Sequence, residues 1–225
     1  MSEAIPIVVL SSGGKDSLYM LDTLRKDSAW RVEALVTTVN ETNRRVAMHG
    51  TSEALLEAQA KSLGLPLTVV GLPEGCDNRE YEKRLARGLA VHRKAGVEHV
   101  ACGDLFLDDI RRWRERSFRR MGWQPVFPIW QTATDRLAQQ LVDERWRVVI
   151  TCIDTQVLPE SLLGKHIDAD LLNSLPAGID PCGENGEFHT FVCDGPGFDV
   201  PIEVVPGERV LAHERYLMID LEPAA

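Results

Sequence analysis

Over the first two thirds of the chain short apolar runs alternate with longer amphipathic stretches, a pattern that predicts β-α units building an open, mostly parallel sheet with helices on both faces. The apolar runs lie at residues 5–10, 32–39, 67–72, 97–102 and 148–153, and each is nearly continuous, as expected of strands covered on both sides. Leu18, Leu21 and Leu24, then Leu55, Leu56 and Leu63, then Leu85 and Leu89 recur at spacings that give each helix a buried face. Asp77 and Glu80 have the spacing of a capping box, and Gly64 and Gly96 stand where helices should end. After about residue 155 the pattern breaks on Pro159, Pro176, Pro181, Pro196, Pro201 and Pro206, with Gly178, Gly183, Gly186, Gly195 and Gly197 among them. Residues 188–193, 200–205 and 210–221 then read as short strands, with Pro206-Gly207 as a turn. The organisation expected is an α/β domain over residues 1–155 and a small C-terminal β-containing lobe over 156–225, packed on the first.

Charge narrows the partners. The 225 residues carry 34 acidic against 25 basic side chains, a net charge of -9, which argues against a protein that coats nucleic acid, because phosphate binding is driven by Lys and Arg. The five cysteines form no C-x-x-C pair, so neither a disulfide framework nor a zinc ribbon is indicated and a reducing cytoplasm is the expected location. No apolar stretch approaches the roughly 18 residues of a membrane span, and the first residues lack a basic signal-peptide segment. A homodimer stays open as an assembly.

The most informative segment is Ser12-Gly13-Gly14-Lys15-Asp16-Ser17. It follows the first predicted strand and opens the first predicted helix, the context of an anion site. There glycine backbone N–H groups and the unpaired N–H groups of a helix N-terminus converge on phosphate oxygens. Lys15 adds positive charge, Ser12 and Ser17 add hydroxyls, and Asp16 can hold Mg²⁺ or cap the helix. A Walker loop requires G-x-x-x-x-G-K-[ST] and a dinucleotide fold G-x-G-x-x-G, and neither spacing is present. Adenine is expected at the C-terminal ends of the first two strands, where Thr37 and Thr38 are nearest in sequence. Met48 and His49 follow, as adenine contacts or as loop packing.

Two further clusters carry chemistry. Gly103-Asp104 follows a predicted strand, where Asp104 serves as a turn or cap residue or as a site carboxylate. The next helix brings Arg111 and Arg114 three apart and Arg111 and Glu115 four apart, so that face either pairs internally or offers a fork to an anion. Near the C-terminus Gly183-Glu184-Asn185-Gly186-Glu187-Phe188-His189-Thr190 can bring its carboxylates together through a tight glycine path, suited to binding an ammonium or Mg²⁺ or to removing a proton from a nucleophile. The plain alternative is a solvated turn. Zinc on Asp180, Cys182 and His189 lacks the usual paired spacing.

The hexapeptide resembles the S-G-G-x-D-S signature of the PP-loop ATP pyrophosphatases (adenine nucleotide alpha hydrolase-like superfamily). The three segments together, with Gly122, Pro128-Ile129-Trp130 and Asp194-Gly195-Pro196-x-Phe198, are similar to the diphthine-ammonia ligase family within it. The resemblance covers nearly the whole chain. It implies that the loop grips the pyrophosphate half of ATP, leaves AMP and pyrophosphate as products, and activates a carboxylate on a protein side chain or small molecule as an acyl-adenylate that ammonia converts to an amide. Carried over, Ser12, Gly13, Gly14, Lys15, Asp16, Ser17, Thr37, Met48, Gly103 and Asp104 are the ATP side, with Mg²⁺ on Asp16. Lys15, Asp16, Arg111, Glu184 and Glu187 are the catalytic assignments, and Glu115, Asn185, His189 and Thr190 face the acceptor. One departure bears on the acceptor. Diphthine-specific relatives typically have Ser-x-Tyr-Gln-Arg where this chain has Leu107-Asp108-Asp109-Ile110-Arg111, and His189 stands where an acidic residue is often seen. Competing readings are an ATP-sensing module without turnover and a PP-loop enzyme that adenylates a tRNA base.

Overall fold

The computed structural model describes residues 3–224, and in it the strands separate into two sheets. Five of them, β1 (Ile5–Leu10), β2 (Trp30–Asn40), β3 (Leu67–Leu72), β4 (His99–Ala101) and β5 (Gln124–Val126), form a parallel sheet in the order β3-β2-β1-β4-β5. The helices α1 (Lys15–Lys26), α2 (Glu53–Ser62), α3 (Asn78–Lys94) and α4 (Asp108–Arg120) connect successive strands. The strand order reverses at β1, the switch point at which an open α/β sheet leaves a crevice beyond its strand ends. Ile7 and Val9 face a core with Leu18, Leu21 and Leu24 of α1, while Val8 faces the opposite core with Leu85 and Leu89 of α3. All of these side chains are buried, and each contributes about 1.5–3 kcal/mol relative to exposure.

Local signals behave as their chemistry requires. Asp77 caps α3 by accepting from the Glu80 N–H at 2.8 Å, and Gly64 and Gly96 have φ of 65° and 87° beyond α2 and α3. The short β5 has no apolar run in sequence, because Pro125 and Gln124 interrupt it at the sheet edge.

The second sheet has the order β7-β6-β9-β8 and is antiparallel, formed by β6 (Arg147–Asp154), β7 (Phe188–Asp194), β8 (Val204–Ala212) and β9 (Tyr216–Pro223). This corrects the reading of residues 148–153 as part of the parallel sheet. β6 is buried from Val148 to Asp154 and shares a core cluster with Leu137, Ala138 and Leu141 of helix α5 (Thr134–Asp143), but its partners are β7 and β9. Pro206-Gly207 is likewise not a turn. It lies inside edge strand β8, where a missing N–H costs no ladder bond and a register shift between Pro206 and Arg209 absorbs it. The reversal instead falls after Ala212, where His213 and Glu214 have positive φ, and so divides the apolar run 210–221 between two strands. Among the described residues no helix is long and apolar enough to cross a membrane.

Candidate active site

Loop residues 11–14 leave β1 and turn straight into α1 with Gly14 at the N-cap. Gly13 has φ of 80°, and a Cβ there would come within 2.7 Å of Leu56 and 3.3 Å of Phe191, so this position needs glycine both for conformation and for space. Ser11 Oγ accepts from the Gly13 N–H at 3.1 Å and donates to Ser17 Oγ at 3.2 Å, and Ser17 Oγ in turn donates to the Gly14 carbonyl at 2.8 Å. The fold of the loop thus uses Ser11 and Ser17 as internal struts.

Lys15 is buried, and its Nζ bonds Asp16 Oδ2 at 2.9 Å and lies 5.5 Å from the centre of the Phe188 ring. Burial alone disfavours its charge, but the Asp16 carboxylate outweighs that and Lys15 is raised above its ordinary value. Cys182, close by, stays a neutral thiol because burial pushes it up. The second oxygen of Asp16 is buried and without a hydrogen-bond partner.

A cleft of about 290 Å³ opens above these groups, close to the lower end of the roughly 300–1,000 Å³ common for small-ligand sites. Leu10, Val36, Thr37 and Thr38 form its wall at the strand ends. Thr37 Oγ1 is buried there without a partner. His49 lines the cleft, whereas Met48, with φ of 62° and 39 % exposed, does not. Gly103 lets the loop after β4 approach the N-terminus of α1, since a Cβ would sit 3.3 Å from the Asp16 backbone.

The third wall comes from the second sheet, through the turn that precedes β7. Glu184 reaches the cleft and accepts from the Leu105 N–H at 3.1 Å. Burial first, and then the Asp16 charge, push its carboxyl up to about 7, with Leu105 and Lys15 opposing the rise. Glu187 is placed differently. It is buried within the turn, accepting from the Asp180 N–H at 3.0 Å, the Asn185 N–H at 3.0 Å and Asn185 Nδ2 at 3.1 Å, and it is not among the residues lining the cleft. Its carboxylate holds the turn closed so that Glu184 projects inward. Glu187→Ala is expected to cost about 2 kcal/mol of stability, because three partly buried N–H donors lose a charged acceptor while those of the exposed Asn185 can turn to water. Thermal unfolding checks this, and an unchanged midpoint would show that the turn holds itself.

His189 lines the cleft with its ring 4.5 Å from that of His49. Burial lowers His49 to about 4 and takes His189 well below its usual value, so both imidazoles are neutral near pH 7. Thr190 Oγ1 accepts from the Lys15 N–H at 3.1 Å.

The arginines divide. Arg111 bonds Glu115 at 3.0 Å and packs over Phe127 and Trp130, with its guanidinium 4.9 Å and 4.6 Å from the ring centres, and neither Arg111 nor Glu115 lines the cleft. Arg114 does, with its Nε held between the two Asp104 oxygens at 3.0 Å and 2.9 Å and Tyr81 beside it. The i,i+3 spacing of the two arginines did not distinguish them. What separates them is that residues 127–130 cover one face of α4 and the strand-end loop covers the other. Among the described residues no three His, Cys, Asp or Glu side chains gather as a metal site.

The sequence pattern of the diphthamide synthase N-terminal domain matches residues 5–125, and that of the diphthamide synthase C-terminal domain matches residues 133–222. Curated relatives include the diphthine–ammonia ligases of Bos taurus, 26 % identical across 92 % of this chain and 85 % of that protein. Those of Homo sapiens, 25 % identical across 96 % and 92 %, and of Danio rerio, 29 % identical across 91 % and 88 %, match at similar length.

Proposed function

This chain belongs to the diphthamide synthase family, and from that premise we propose that it is an ATP-dependent ligase that adenylates a carboxylate and transfers ammonia to it. The relatives named as diphthine–ammonia ligases support ligase chemistry with ATP. The observation that carries the site assignment is the convergence in one cleft of the N-terminus of α1 with Lys15 and of the Glu184 carboxylate delivered by the second sheet. In this reading the part up to about residue 155 binds ATP and the part beyond it supplies the acceptor side, on a sheet whose first strand, β6, still belongs to the first part.

The N–H groups of Asp16 and Ser17 in the first turn of α1 bind the β and γ phosphates, those of Gly13, Gly14 and Lys15 being taken by Ser11, Ser12 and Thr190, and Lys15 neutralises charge as pyrophosphate departs. The unpartnered Asp16 oxygen is suited to a hard cation, and Mg²⁺ held there would offset phosphate charge. Thr37, lining the cleft at the strand ends with an unpartnered hydroxyl, takes the adenine side. An oxygen of the acceptor carboxylate attacks Pα, the Pα–O bond to pyrophosphate breaks, and an acyl-adenylate results. Ammonia then attacks the acyl carbon and AMP leaves. Glu184, ionised above about pH 7, receives the proton lost by the attacking nitrogen. Asp104 with Arg114, and His189 on the opposite side, shape the space for the acceptor. Arg111 and Glu115 act from outside the cleft, with Glu187 and Asn185 holding the turn.

Diphthine is the first acceptor to test, because it is named for the relatives. Protein supplied with ATP, Mg²⁺, ¹⁵N-ammonium and a diphthine-bearing protein is expected to form a ¹⁵N-amide with one pyrophosphate per amide. Pyrophosphate release that needs no ammonium and leaves no label in any product would remove ammonia as the nitrogen donor.

A further inference from the structure

Gln59 is an amide in the middle of α2, 1 % exposed, in a position where the helix otherwise buries Leu55, Leu56 and Ala60. A buried primary amide is costly unless its hydrogen bonds are made. Its Nε2 donates to the Gly13 carbonyl at 3.1 Å and to the Val192 carbonyl at 2.8 Å, so both donors are used, while Oε1 is buried without a partner among the described residues. The first of these belongs to the phosphate loop and the second to β7. The same two segments are joined twice more, by the Val192 N–H donating to the Gly13 carbonyl at 3.0 Å and by the Lys15 N–H donating to Thr190 Oγ1 at 3.1 Å. The loop is therefore held against β7 by a line of bonds, with Gln59 closing that line from the third side.

The strand gripped in this way runs directly out of the turn that carries Glu184. Gly13 to Lys15 define where phosphate sits, and Glu184 lies just upstream on the β7 side of the cleft. Any slip of the loop along β7 moves these two halves relative to each other. A side chain that bonds both carbonyls fixes that offset, and an apolar residue of similar volume would fill the same space without fixing it.

We propose that Gln59 is a positioning residue whose bidentate amide locks the phosphate loop to β7, setting the register between the triphosphate site and the Glu184 turn. The part of this that concerns the reaction rests on the function proposed above, whereas the lock itself does not.

Gln59→Met keeps the length and volume of the side chain and removes both donors, and Gln59→Glu keeps the shape but places carboxylate oxygens against two carbonyls. ATP affinity, measured by calorimetry with Mg²⁺, is expected to fall about tenfold to a hundredfold in Gln59→Met and further in Gln59→Glu, because two buried bonds are lost and then replaced by repulsion. Amide hydrogen exchange at Lys15 and Val192 is expected to rise at least about tenfold in Gln59→Met without ATP present. Should the Gln59 variants fail to fold, Thr190→Val loosens the loop from the other side and is expected to weaken ATP in the same direction, with Thr190→Ser restoring it. A Gln59→Met protein with parental ATP affinity and parental exchange at both amides would overturn the lock and leave Gln59 as packing. If the parent binds ATP yet forms no AMP, the ligase reading fails while the affinity and exchange comparisons still decide the lock.

Discussion

Replacing Lys15 by Met is expected to lower AMP formation by about two to three orders of magnitude while the protein stays folded. Lys15 is buried at the N-terminus of α1 and paired with Asp16 at 2.9 Å, so in the proposed mechanism it would meet departing pyrophosphate with its charge already in place and without reorganising. Asp16 keeps 27 % of its side-chain surface exposed, and water can therefore take over part of the lost pairing. The stability cost should stay near 1–2 kcal/mol, well short of the roughly 3–5 kcal/mol for breaking a fully buried pair. Turnover and thermal unfolding measured together separate the two effects. A Lys15→Met enzyme within threefold of the parent would mean that the backbone N–H groups alone stabilise the leaving group.

Glu184→Gln is expected to move activity and stability in opposite directions. The carboxyl of Glu184 is raised to about 7, so in the parent its favourable contribution to folding is complete below its ordinary value of 4.5 and is lost as the pH climbs through about 7. A neutral amide avoids that loss, and above pH 7 the variant should be more stable than the parent by roughly 2–3 kcal/mol, with no difference below about pH 4. In the proposed mechanism activity needs the ionised carboxylate. The parent rate should therefore rise with pH through about 7, and the variant should lose about two to four orders of magnitude together with that acid limb. Parent and variant profiles that share the same acid limb would assign it to another group.

Much of this was legible from the residues in order, because the features concerned are local. The loop Ser12 to Ser17 announces itself by a strand before it and a helix after it, and Asp77 and Glu80 by a spacing that one helical turn fixes. What stayed hidden was set by contacts between distant segments. β6 has the apolar composition of a parallel strand, and only its pairing with β7 and β9 places it in the other sheet. Arg111 and Arg114 differ in role because of what packs on each face of α4, which no helical spacing encodes. Glu187 and Glu184 lie three apart in one turn, yet one is consumed by the backbone around it while the other is left facing the cleft. Gln59 lies on an apolar helix face, where a single amide among Leu and Ala is the only local signal of its role.

In the proposed reading the second sheet is part of the nucleotide site. Thr190 and Val192 bond the loop directly, and β7 carries the turn that brings Glu184 to it. For the proposed ligase, docking the loop that leaves β1 on the strand that carries the Glu184 turn fixes the distance between the two.

Phosphorus NMR of ATP turned over with Mg²⁺, ammonium and the acceptor tests the central claim most directly, since the position of cleavage is read from the products. AMP and pyrophosphate, in equal amounts and dependent on acceptor, are the predicted result. ADP and inorganic phosphate would contradict the account, because the loop would then hold the wrong half of the nucleotide.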